Sequence, residues 1–227
     1  KGFASSSLNL NKKFDLILSI SVFEHIKEIK DTIKFACNHM EGDGELFFVV
    51  PNCHGRFKNG NPDVFNHEHL HYYTKNSINF LLEENGLKIR DIKIKSDTFF
   101  VAAERTKDIS VQKSGTSLYL NYDSMLESTL EYLRKVVNEN HVAFHGVCNG
   151  LNNILAWSKI DSNFGLFDND ETKIGRKFFG KIVKLPDKNI INEYDCIVVV
   201  PFQYFKEIEN QYRELGFKGK IIKTIEE

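Results

Sequence analysis

Phe14–Ile20 is a short apolar run that stops abruptly at Ser21-Val-Phe-Glu-His25, which predicts a buried strand ending at a polar edge. Ile26, Ile29, Ile33, Ala36 and Cys37 then recur at helical spacing, predicting a helix over residues 26–39. Gly42-Asp-Gly44 turns the chain into residues 45–50, a continuous apolar run suited to a parallel strand covered on both faces. Residues 52–71 are rich in Gly, Asn and His and read as a loop. Thr74 is placed to cap a helix that runs to Glu84 and is ended by Gly86. Leu87–Lys95 alternates apolar and polar residues, and Thr98–Arg105 reads as its antiparallel partner.

A polar stretch over 106–116 reads as a linker. Leu118, Met125, Leu126, Leu130, Leu133 and Val137 then mark one face of an amphipathic helix. A second alternation follows: strand 142–146, helix 152–159, strand Phe164–Phe167, strand 194–200, helix 203–215 and strand Lys220–Lys223. Two strand-helix units in series predict an α/β protein with a partial Rossmann-like sheet followed by a second Rossmann-like α/β domain. The expected boundaries are 1–106, a connecting segment 107–138, and 139–227.

Composition narrows the function classes. The 227 residues carry 30 Lys and Arg against 31 Asp and Glu, mixed along the chain, so no basic stripe argues for nucleic acid. No apolar run approaches the roughly 20 residues of a membrane span. The four cysteines are scattered with no Cys-x-x-Cys pair, which reads as reduced thiols in a cytoplasmic protein.

In an open α/β sheet, ligands bind beyond the carboxyl ends of the strands, which places Ser19 to His25 where chemistry is expected. With the Gly42–Asn52 stretch, this segment resembles the second half of a class I S-adenosylmethionine-dependent methyltransferase domain. That resemblance implies S-adenosylmethionine as cofactor. Ser19, Ser21, Val22 and Phe23 would lie at the methyl donor, and Phe3, Ala4 and Ser5 near its adenine. The family's acidic-Gly-x-Gly-x-Gly loop is not in this sequence, so the donor site is expected to be incomplete here.

Val64-Phe-Asn-His-Glu-His-Leu-His-Tyr-Tyr-Thr74 is similar to the Tyr-His-Glu-His-Leu-x-Tyr stretch of the sugar C-methyltransferases. By that resemblance His25, Glu68 and His69 are catalytic, with a histidine as base and Glu68 orienting it. Such a base removes a proton next to a carbonyl, and histidine titrates near working pH. The family's tyrosine is Asn66 here, which leaves carbon and oxygen acceptors both open. Tyr72 and Tyr73 are the candidates to supply a hydroxyl. Asn52 and His54, just past a strand end, are candidate substrate contacts. On a strand, His67, His69 and His71 would share one face, a pattern that can hold a metal, but no fourth ligand stands at a recognisable spacing and no metal is expected.

Three later blocks, 144–155, 167–175 and 195–203, resemble in order the carboxyl-terminal domain of the same enzymes. They add Asn152, Asp168 and Lys173 as substrate-binding candidates. Gly150 and Leu151 stand where that family has Lys-Gly, and a glycine cannot replace a lysine's charge at a diphosphate. The expected activity is methyl transfer to a sugar or nucleotide-sugar, held between the domains. An O-methyltransferase of a surface-polysaccharide sugar and a non-catalytic ligand-binding module are the alternatives.

Overall fold

The computed structural model describes residues 4–107, 121–161 and 163–225. Phe3 and most of the expected linker lie outside the described residues. The chain divides into two compact units: Lys1–Gly55 with His67–Ser117, and Arg56–Asn66 with Leu118–Glu227.

The first unit is built on a four-stranded sheet in the order β1-β2-β4-β3. β1 (Phe14–Ile20) runs parallel to β2 (Met40–Pro51), and β4 (Thr98–Arg105) and β3 (Leu87–Lys95) continue it antiparallel. Helices α1 (Ile29–His39) and α3 (Lys75–Glu83) contribute to one core. Ile33, Leu46, Phe48, Val50, Ile78, Leu82 and Val101 pack together there. Thr74 caps α3 as the sequence suggests. Its hydroxyl accepts the Ser77 amide while the Ser77 hydroxyl accepts the Thr74 amide, a reciprocal capping box.

One expectation fails. β1 is not buried: Leu16, Leu18 and Ile20 are 50, 59 and 60% exposed. Among the described residues it is an edge strand paired only with β2, and its alternation sends Ile17 and Ser19 to the covered face and the other three to the uncovered one.

The second unit holds a six-stranded sheet, order β10-β9-β5-β6-β8-β7. β5 (Val142–His145), β6 (Phe164–Phe167), β8 (Lys181–Lys184), β9 (Cys196–Val199) and β10 (Lys220–Lys223) pair in parallel, and β7 (Lys177–Phe178) is antiparallel to β8. β5, β6 and β9 are buried at every position, as parallel strands covered on both faces must be. One core cluster joins β5 and β6 to α4 (Tyr122–Glu139) and α5 (Asn149–Ser158). A second joins β9 to α6 (Phe205–Glu214). The short helix α2 (His54–Lys58) and a 3-10 turn at Pro62–Val64 occupy the stretch read from sequence as loop. Segment 56–66 belongs with the second unit: Asn153 donates to the carbonyls of Pro62 and Phe65 (2.9 and 3.0 Å), and Phe65 packs edge-on against Trp157. No helix among the described residues is long and apolar enough to cross a membrane.

Candidate functional site

β1 ends at Ile20, and Ser21 follows with φ of 51°, a left-handed conformation that L-residues adopt at a cost. Its amide is held by the Val49 carbonyl at 2.9 Å. The chain then makes a 3-10 turn over Phe23–His25, burying Phe23 and Glu24 and leaving His25 at the surface. The return segment is anchored to this turn by backbone bonds: the Leu70 and His71 amides both donate to the Glu24 carbonyl, at 2.7 and 3.2 Å.

This anchoring brings His69 to His25. Their rings stand 4.9 Å apart, edge to face. The His25 Nδ1–H donates to the Glu68 carbonyl at 2.9 Å. In the neutral ring that bond selects the tautomer whose Nε2 carries the lone pair. Nε2 lies 3.9 Å from the Glu24 carboxylate, which is 2% exposed. The other oxygen of Glu24 is buried with no hydrogen-bond partner among the described residues.

The sequence reading missed Glu24 as a site residue. It is the carboxylate beside the imidazole of His25, whereas the Glu68 carboxylate is 64% exposed and 3.8 Å from His67. The three alternating histidines do not share a site. His67 is exposed, and His71 Nε2 donates to the Ile26 carbonyl at 2.8 Å. Glu24, His25 and His69 instead present ligand atoms within 4.8 Å of one another. Ligands of one divalent cation stand nearer, about 3.3 Å apart, so these groups would have to draw together to hold one.

Tyr72 is 6.3 Å, ring to ring, from His69. Tyr73 is buried, donates to the Phe23 carbonyl at 3.2 Å, and has its ionisation pushed well up by burial and by the nearby Glu24. Asn52 bridges to Tyr73, and its side chain accepts the His54 amide at 3.1 Å, with His54 itself exposed. Ala4 accepts the Thr32 hydroxyl, and Ser5 bonds Ser7, beside α1.

A sulfonium donor needs aliphatic flanks and oxygen atoms to face its charge. The end of β1 offers both: Ser21 and Val22 are exposed there, and the buried Ser19 hydroxyl has no partner among the described residues.

In the second unit, Asp168 and Lys173 meet at 3.1 Å. They line a cleft of about 450 Å³ with His145, Gln203, Tyr204 and Glu207. Asn152 is exposed on α5 and is not among the residues lining it.

No curated protein matches the chain. Among solved structures, it is similar to an S-adenosylmethionine-dependent methyltransferase from Clostridium acetobutylicum, at 15% identity and a TM-score of 0.36 over 44% of this chain and 62% of that one. A magnesium protoporphyrin IX methyltransferase from Synechocystis gives 16% and 0.35 over 44% and 48%. An O-methyltransferase family protein from Burkholderia thailandensis gives 14% and 0.35 over 47% and 34%. The chain thus spans less than two thirds of the length of each of these three. Residues 1–92, which carry β1, β2 and the Glu24–His25–His69 group, match the family described as a methyltransferase domain.

Proposed function

We propose that the chain takes part in S-adenosylmethionine-dependent methyl transfer to a sugar-type acceptor. The observation that carries this reading is the Glu24–His25–His69 group at the carboxyl end of β1, inside the segment that matches a methyltransferase domain. Bound at that strand end, the donor would supply an electrophilic methyl group and leave as the neutral thioether S-adenosylhomocysteine. The chain's own residues then have two tasks. Ser19, Ser21 and Val22 would flank the donor, and an imidazole takes the acceptor's proton so that the acceptor becomes a nucleophile. His25 is arranged for this: one ring nitrogen is tied to a carbonyl, and the other faces a buried carboxylate that stabilises the imidazolium formed. His69 is its neighbour and the second candidate base. Glu68 contributes its carbonyl, which orients His25.

The acceptor proton sits either on a hydroxyl or on a carbon beside a carbonyl, and the same imidazole serves both. Methyl transfer to a panel of sugars, measured with His25→Ala and His69→Ala, tests the assignment. Loss of the base lowers kcat by about 10²–10⁴ with KM little changed. Equal losses in affinity and turnover would reduce the pair to a binding role.

A further inference from the structure

The cleft of the second unit lies at a switch point. The chain leaves β5 for β6 on one side and later returns to β9 on the other, so the loops after β5 and β9 part there. In sheets of this kind, the turn after the first strand and the helix that follows present N–H groups to a phosphate. Here the protein's own carboxylates stand at this turn and helix start. The Val147 amide donates to Asp168 Oδ2 at 2.7 Å. Asp63 sits against the first turn of α5, where a Cβ on Gly150 would come within 2.9 Å of its Oδ1, and Arg56 holds that aspartate at 3.3 Å. The glycine at position 150 therefore makes room for a carboxylate.

The charge of the lining points the same way. Lys173, the one cation among the described lining residues, is shared between Asp168 at 3.1 Å and Asp170 at 3.7 Å. Glu207 adds a second carboxylate to the lining. His145 is neutral at pH 7 because burial pushes its imidazole down to about 4. Its Nδ1 is bonded to the Tyr212 hydroxyl at 3.0 Å, while Nε2 has no bonding partner among the described residues. The partners left for a ligand are thus a neutral ring nitrogen, the Gln203 amide, the Glu207 carboxylate and the exposed Tyr204 ring.

We propose that this cleft binds an uncharged carbohydrate, through its hydroxyls and the Tyr204 ring, and rejects phosphate and diphosphate groups. Hydroxyls can donate to Glu207 and exchange bonds with His145 and Gln203, and a sugar's C–H face suits an aromatic ring. A diphosphate would meet two lining carboxylates and find the turn's amide already bonded. The site's binding is independent of methyl transfer, since every partner named lies in the second unit.

The test titrates methyl glycosides of gluco, galacto and manno configuration, and separately uridine diphosphate, into the chain without a methyl donor, followed by ligand-observed NMR. The expected result is saturable binding of at least one glycoside, weakened about tenfold or more by Tyr204→Ala, with no saturable binding of uridine diphosphate. Glu207→Lys should then admit uridine diphosphate, because it reverses a charge on the cleft wall. Uridine diphosphate binding more tightly than every glycoside, or no glycoside binding at all, overturns the proposal.

Discussion

Two buried polar residues, His145 and Glu24, each set a local constraint. His145 is 3% exposed and bonded to Tyr212. Its folded pKa of about 4 lies below the ordinary value of 6.5. The unfolded chain therefore takes up a proton at this site between pH 6.5 and about 4 that the folded chain does not. The sign follows: this stability is fully present above pH 6.5 and is lost as pH falls to about 4, a loss on the order of 3 kcal/mol. Urea unfolding at pH 7 and pH 4.5 measures it. His145→Gln should flatten the difference, and an unchanged slope would exclude His145 as the source. Glu24 is the other case. From sequence it reads as an anchor beside a histidine, because nothing local reveals that the Phe23–His25 turn folds inward. What buries it is backbone bonding to residues 70 and 71, some 46 positions away.

At the scale of elements, patterning was informative where a single rule decides the outcome. β3, β4, β6 and β10 fall where alternation or a bounded apolar run places them. α5 begins at Asn149 and not at 152, because Asn149-Gly150 reads as a turn although it is already helical. β7 and β8 are two and four residues long and half lysine, too short to show a hydrophobic period. Periodicity also cannot say which face of a strand receives a cover, and β1 was misread for that reason. A glycine inside β6 illustrates packing that sequence cannot show. A Cβ on Gly165 would run into the Tyr194 ring, which also stacks on His141 at 4.6 Å. Gly165→Ala should cost about 1–3 kcal/mol by overpacking, whereas Gly42→Ala, which meets nothing within 4 Å, should stay within about 0.5 kcal/mol. Thermal melts of the two variants make the comparison, and equal midpoints would refute the clash.

For the molecule as a whole, the fold class was legible because two strand-helix alternations in series leave few other architectures. The location of the Glu24–His25–His69 group was legible in part, since strand ends attract chemistry and two of its three members stood in recognisable motifs. The composition of the second unit was not. Asp63 and Gly150 lie 87 positions apart, and no local rule joins them. The uncovered face of β1 carries Leu16, Leu18 and Ile20 on an edge strand, the combination that favours association of one chain with another. Light scattering as a function of concentration should show this chain self-associating. Leu18→Lys should suppress that association while moving the thermal midpoint little. Scattering that Leu18→Lys leaves unchanged would locate the contact elsewhere.

The excursion of residues 56–66 has a consequence for biosynthesis. The second unit cannot be released by a single cut, because one of its pieces is encoded within the first. A gene fragment that starts at residue 118 lacks the Phe65 and Pro62 carbonyls that receive Asn149 and Asn153, the Phe65 ring that meets Trp157, and Asp63 at the head of α5. On the ribosome, that early piece emerges about 60 residues ahead of the first helix it packs against, and it must wait through several seconds of elongation before its fold can close.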